Sequence, residues 1–414
     1  MESDKMSADL ILYNIGQLVT SREIENFQGS CMENIEIIID GYVAVKDGLI
    51  LDFGAEEVPK NIVSMGTKLI DMNGYVVTPG LIDTHTHLVH GGSREFEFPK
   101  ILQEEKNILK TVEETKKLSL EKLVEKSQKH LNKMLSFGVT TVESKSGYGL
   151  ELETELKQLE VNRILNVLQP IEIVSTFMGG HIIPETYKNR EHEYIDEIIG
   201  MIKVIKEKNL AEFCDIFYNT NEFSQDGVRR ILDEAKNSGF KLKIHSNELI
   251  NIERIKLALE LDILAMDHIG DTKSHCIELL KETDILANLF PGTSFFLRKD
   301  YAPGRKIIDS GIQVTLSTNY NPETCPTENL QLIMQIAAAN LDMSAKEIFK
   351  AVTINSAKAL DRDKICGSIE VGKVADIVVF DAPNIDYILY NFGVNHVHSV
   401  YKHGNIVYRK HMDI

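Results

Sequence analysis

Between Val76 and Leu341 a short apolar run rich in β-branched residues is followed, eight times over, by a longer stretch with helical spacing. The runs are VVTPGLIDTHTH, GVTTVES, IEIVSTFMG, CDIFYN, KLKIHS, ILAMDHI, ILANLF and IQVTLSTN, beginning at Val76, Gly138, Ile171, Cys214, Lys241, Ile263, Ile285 and Ile312. Between them, segments such as LEKLVEKSQKHLNKMLSFG, EYIDEIIGMIKVIKEK and DGVRRILDEAKNSG place apolar residues at i, i+3 and i+4, and the first and last end in glycine, as helix C-termini do. Parallel strands need a crossover between them, and eight strand-helix units favour a closed ring. The expected fold class is α/β, a TIM (β/α)8 barrel, with an open doubly wound sheet as the second choice.

The two ends read differently. LILYNIGQLVT and GYVAVKDGLILDFG at the start, VVFDAP and HSVYKHGNIVYRK at the end, are short apolar pieces punctuated by Gly and Asn with no helix between them. They predict a small β-sandwich domain built from both chain ends, residues 1–75 and 362–414, around a barrel at 76–361. A length of 414 residues accommodates this arrangement, since such barrels take about 250.

A formal net charge of −17 opposes binding to nucleic acid or anionic lipid, both of which need clustered Lys and Arg. No apolar stretch reaches the roughly 18 residues that cross a bilayer, and MESDKMSADL is acidic where an export signal is basic. A cytoplasmic protein with a small diffusible substrate is expected. The five cysteines, Cys31, Cys214, Cys276, Cys325 and Cys366, are scattered without zinc-knuckle or redox spacing and read as packing residues.

Chemistry concentrates at the strand ends. His85 and His87 close LIDTHTH, two apart, so both imidazoles project to one face and can grip one ion. His181 ends TFMGGH, His245 ends KLKIH and His268 ends AMDH. Thirteen histidines placed at random would rarely choose the same end of four strands, the end where catalytic groups of this fold collect. Three neutral imidazoles with an open position make a catalytic metal site, and His85, His87 and His245 supply that set; for His181 and His268 the alternative to a site role is a hydrogen-bonded structural histidine, the lesser of the two readings. Glu248, three residues after His245, can stand beside a metal-bound water as general base. Asn319 in LSTNYNPE occupies the end of the eighth run, where a last ligand could come from, though an amide cannot take a proton. Arg94 in GGSREFEF and Tyr148 in KSGYGL suit a carboxylate or ring carbonyl on a substrate. SGYG is too short to cradle phosphate, which excludes a nucleotide site.

TPGLIDTHTH, the single histidines at later strands and the closing GSIEVGKVADIVVFD resemble the amidohydrolase superfamily over nearly the whole chain. GSREFEF, TTVESKSGYGL, TFMGGHIIP, FCDIFYN, KIHSNE, AMDH, PGTSFFLR, YAPGRKIID and NPETCPTENLQLIM resemble, within it, the imidazolonepropionase family. The resemblance implies a divalent ion, zinc first and iron second, on His85, His87 and His245; Glu248 near the nucleophilic water; and His268 assisting. It implies substrate contacts from Arg94, Tyr148, His181, Glu248, Asn321 and Thr324, and a homodimer. The implied reaction opens a small heterocycle, 4-imidazolone-5-propanoate to N-formimidoyl-L-glutamate, in histidine degradation.

Three departures stand out. The family has an aspartate metal ligand where this chain has Asn319, a glycine where it has Glu323, and a tyrosine- and glycine-rich stretch where it runs PKILQEEKNILKTVEE. They leave open a related ring such as 4-imidazolone without the acidic arm, or another lactam, and a noncatalytic ring-binding paralogue. GSRE and SGYG disfavour deamination of a heterocycle.

Overall fold

The computed structural model describes residues 7–25, 27–28, 30–55, 57–102, 108–218, 222–246, 252–268 and 274–410, and the statements below concern these. Five strands come first: β1 (Leu10–Val19), β2 (Ile37–Lys46), β3 (Leu49–Ala55), β4 (Lys68–Asp71) and β5 (Val76–Pro79). Eight alternate with helices: β6 (Leu81–Asp83), β7 (Val139–Lys145), β8 (Glu172–Gly180), β9 (Phe213–Tyr218), β10 (Lys241–Ser246), β11 (Ala265–Asp267), β12 (Leu286–Leu289) and β13 (Val314–Leu316). Three end the chain: β14 (Ile377–Phe380), β15 (Val397–Lys402) and β16 (Asn405–Arg409). The chain forms two compact units, one of Met1–Ile82, Lys133–Thr141 and Asn329–Ile414, the other of Asp83–Asn132 and Val142–Glu328.

The end strands join one sheet in the order β16-β15-β14-β5-β1-β2-β3, with β4 also on β1. Asp47 and Gly48 both take positive φ, 49° and 79°, between β2 and β3, the turn an Asp-Gly pair makes when its twist must match the strands it joins. Alternation sorts the side chains: Leu10, Leu12, Val43, Val45, Val77, Ile377 and Val379 pack together, whereas Ile11, Tyr42 and Ala44 pack with Ala8 and Ile62. VVTP, expected to open the first barrel strand, is β5 and lies in this sheet between β1 and β14. SAKEIFKAVTINSAKAL forms two helices, Ala345–Ala351 and Ile354–Ala359; Ser344 and Glu347 close a capping box on the first.

The other eight strands, one from each of the eight predicted runs, form a single sheet in strict chain order, β6 through β13, and the pairs from β8 to β13 are parallel. The ring closes beyond β6 and β13, where Thr86 bridges Tyr320 in parallel and the His87 amide donates to the Tyr320 carbonyl at 2.8 Å. Buried Asp83 secures that seam: its carboxylate accepts from the Ser317 hydroxyl, the Thr318 hydroxyl at 2.6 Å and the Thr318 amide at 3.1 Å. Helices cover the sheet as the spacing predicts. In Gln225–Asn237, for example, Ser224 caps the first turn and Val228, Ile231, Leu232 and Ala235 are buried. No helix among the described residues is long and apolar enough to cross a membrane.

Candidate metal centre

His181 and His268 directly follow β8 and β11, and His245 lies in the last turn of chain of β10. His85 and His87 lie just past β6, rather than inside the strand as expected. The ring centroids are 4.8 Å apart for His85 and His245, 5.4 Å for His85 and His87, and 4.4 Å for His245 and His268, which stack. His87 and His181 stack in turn at 5.3 Å. Phe290, next after β12, packs against both His85 and His268.

Nδ1 of His85 is 2.7 Å from Oδ2 of Asp267, which fixes the ring and turns Nε2 away from the carboxylate. Among the described residues that Nε2, with Nδ1 of His87 and Nδ1 of His245, is buried with no hydrogen-bond partner. Buried imidazole nitrogens left unpaired in this way are what a cation site needs, because each keeps a lone pair for a ligand. Burial first, and the neighbouring imidazoles second, push His87 and His245 well below the usual histidine pKa, so both stay neutral, the ligating form. His181 is pushed down to about 4, chiefly by burial. Nitrogens of His85, His245 and His268 lie within 4.8 Å of one another. The donor set therefore fits a divalent ion: the geometry brings His268 to the pair His85 and His245, and His87 stands beside them with an unpaired buried nitrogen of its own.

Below the histidines the barrel holds a lattice of charge that the sequence reading passed over. Lys145 contacts Asp215 at 2.7 Å, Glu143 at 3.0 Å and Asp267 at 3.4 Å; Lys243 contacts Glu143 at 3.0 Å; all five side chains are fully buried. Burial opposes the charges of Lys145 and Asp267, yet the three carboxylates hold Lys145 above the ordinary lysine range, and His85 and Lys145 hold Asp267 well below the carboxylate range. The signal was present in the sequence. Glu143 and Lys145, like charged residues elsewhere in the apolar runs, recur with period two and so point into the ring.

The expected substrate contacts divide into two groups. Tyr148 is buried, its ring 5.3 Å from His87 and 5.6 Å from His181. Its loop hangs on Glu155, which accepts from the amides of Gly147, Gly149 and Leu150 at 2.8–3.0 Å, and on Gln158, which accepts from the Tyr148 amide. Gly147 sits at φ 104°, and a Cβ there would come within 3.0 Å of His181 Nδ1 and 3.1 Å of the Met178 carbonyl. Arg94 is also buried, but its guanidinium donates to Glu97, to Thr111 and, at 2.7 Å, to Glu323. Asn321 is used by its own loop: Oδ1 accepts from the Glu323 and Thr324 amides, and Nδ2 donates to the Asn319 carbonyl and the Thr324 hydroxyl.

Asn319, buried at φ 50°, donates through Nδ2 to Thr293 and lies 3.5 Å from His268 Nε2. His268 itself has φ 60°, so both sit in a conformation that side chains other than glycine rarely adopt and that clusters at functional sites. Glu248 falls at 247–251, outside the described residues.

The amidohydrolase family profile matches residues 76–407. A protein from Fusobacterium nucleatum named imidazolonepropionase is 52% identical over 98% of this chain and 100% of its own length. The chain belongs to the imidazolonepropionase family of amidohydrolases. A second member of that name, from Alkaliphilus oremlandii, is 48% identical over 98% of the chain and 99% of its own. Among solved structures, an adenosine deaminase from Xanthomonas campestris with bound zinc shares the fold at TM-score 0.73 and 17% identity, covering 98% of this chain and 95% of that one. A guanine deaminase from E. coli does so at TM-score 0.70 and 16% identity, covering 97% and 99%. Against the family pattern described from the sequence, the departures at Asn319 and Glu323 fall on two places of consequence: Asn319 beside His268, and Glu323 on Arg94.

Proposed function

We propose that this amidohydrolase opens the ring amide of an imidazolone by hydrolysis, and that 4-imidazolone-5-propanoate, the substrate its relatives' name indicates, is the compound to test first. The observation that carries the reading is the set of unpaired buried nitrogens on His85, His87 and His245 at the barrel's catalytic end. These residues, with Asn319 beside them, would hold one divalent ion, zinc before iron. When bound, such an ion supplies Lewis acidity toward a ring carbonyl and makes water acidic enough to attack at neutral pH.

The protein's own groups do the rest. His268, stacked on His245, offers Nε2 to carry a proton to the departing ring nitrogen. Glu248 takes the proton from the attacking water. Tyr148 and His181 flank the histidines and orient the ring, the Gly147 carbonyl fixing the His181 ring through Nδ1 at 2.9 Å. Asn321 and Thr324 shape the loop that carries Asn319, and Phe290 excludes water from one side.

The test is ultraviolet loss of freshly generated 4-imidazolone-5-propanoate with zinc-loaded protein, beside Asn319→Asp. The reading expects N-formimidoyl-L-glutamate as product and tighter zinc retention in Asn319→Asp, from one more anionic ligand. Released ammonia in place of that product would move the assignment to deamination. Silence from both proteins on every imidazolone would leave a ring-binding paralogue.

A further inference from the structure

The buried charges one layer beneath the histidines are not called for by stability alone. Glu143 and Lys145 stand on β7, Asp215 on β9, Lys243 on β10 and Asp267 on β11, and the Thr176 hydroxyl of β8 also donates to Glu143. Desolvating such charges offsets most of what their pairing contributes, and apolar side chains of similar volume hold a core at least as well. What the charges supply is direction, and it converges on His85.

The lattice meets His85 at two points. Lys243 Nζ donates to the carbonyl of Thr84, the residue before it, at 3.3 Å. Asp267 Oδ2 accepts from the ring at Nδ1, and Lys145 Nζ stands 3.4 Å from that same oxygen. Strand register puts the two layers in line: Asp215 pairs with Lys243 between β9 and β10, and His245 pairs with Asp267 between β10 and β11. Asp215 at 2.7 Å and Glu143 at 3.0 Å anchor the Lys145 ammonium, so it offers Asp267 a fixed cation rather than a mobile one.

We infer that Lys145 is a positioning residue of the ion site: anchored on Glu143 and Asp215, its ammonium fixes the Asp267 carboxylate, which holds the His85 ring with Nε2 toward the ion. Without that cation, Asp267 keeps Asn288 on Oδ1 but can turn Oδ2 away from Nδ1, and His85 loses the bond that sets its orientation. This rests on the ion site proposed above but not on turnover.

Lys145→Met alone leaves three buried carboxylates without their common cation and can unfold the barrel, so the experiment joins it to Asp215→Asn, which removes the nearest of them. Asp215→Asn by itself is the control, because it takes a charge from the same ammonium yet leaves Lys145 on Glu143 and Asp267. In metal-free protein carrying isotope-labelled histidine, the proton on His85 Nδ1, held in a buried 2.7 Å bond, gives a slowly exchanging downfield resonance, identified by its loss in His85→Gln. The control is expected to keep this resonance and the double variant to lose it to exchange. Zinc affinity, by chelator competition, falls about tenfold in the double variant, the lower end of what supporting partners contribute, and less than about twofold in the control. Added to Asp267→Asn, the same pair costs less than about twofold more, because the path through Asp267 is already cut. A resonance retained in the double variant, or a loss that adds in full to that of Asp267→Asn, overturns the inference; a lattice that only held the fold together would give both. If the unmodified protein binds no zinc, the ring-opening reading fails, and the resonance still decides this one.

Discussion

Replacing Asp267 with asparagine tests whether the histidines are built to hold a metal. Asp267 Oδ2 accepts from His85 Nδ1 at 2.7 Å, and Oδ1 accepts from Asn288 Nδ2 at 2.9 Å, so both oxygens are used as acceptors. An amide offers only one. If its nitrogen faces Asn288, that residue can turn over and accept, and the bond to His85 survives without its charge. A charge-assisted hydrogen bond is worth about 1.5–3 kcal/mol against about 0.5–1.5 for a neutral one, so this route costs roughly 1–1.5 kcal/mol, or about tenfold in ion affinity. If its nitrogen faces His85 instead, the ring must carry its proton on Nε2, the unpaired nitrogen, and His85 stops being a ligand. Losses near a hundredfold belong to that route, the upper end of what such supporting partners contribute. Lys145, 3.4 Å from Asp267, loses one of its three anions on either route. Zinc affinity, measured by competition with a chromophoric chelator at fixed pH and with far-ultraviolet circular dichroism to confirm the fold, should fall between about tenfold and a hundredfold. An affinity within about twofold of the unmodified protein, with the fold intact, would refute the assignment of His85 Nε2 to an ion.

Two further expectations follow from the same region. Gly147→Ala puts a Cβ 3.0 Å from His181 Nδ1 at a φ of 104°, and should lower the urea midpoint by the equivalent of about 1–3 kcal/mol and loosen the Tyr148 loop. In metal-free protein His181 titrates near 4, against an ordinary value of 6.5, so the unfolded chain binds more protons in between: stability is present above 6.5 and lost as pH falls toward 4. Because the His181 side chain is part-exposed, about 1–2 kcal/mol is expected from it, and His181→Gln should show a shallower drop in urea midpoint from pH 7 to pH 5. An equal drop in both proteins would count against it.

Period and turn chemistry made the ring and the terminal sheet legible, because each strand repeats one local rule. Gly138 and Gly239, both at positive φ, end the helices whose sequences closed in glycine. VVTP misled for a physical reason. It is apolar on both faces like a barrel strand, but a strand between β1 and β14 in a sheet buried on both sides has the same composition. The histidines were found because their residue type is rare and their position is shared. Glu155, Asp267 and Lys145 were not, because a buried charge is recognisable only once its partners are brought to it; Asp267, for one, lies 182 residues from His85 in the sequence. Asn321 shows the converse: it was singled out as a substrate contact, yet its hydrogen bonds go to its own loop.

The seam at Asp83 also bears on how the molecule is made. Its hydroxyl partners, Ser317 and Thr318, lie 234 and 235 residues further along the chain. Such a closure pays its loop entropy late and folds slowly. During translation the segment bearing His85 and His87 leaves the ribosome long before the residues that lock it, so the nascent chain carries an open, edge-exposed sheet until Thr318 has emerged. The histidine cluster is then completed only when the far end of the barrel has been made.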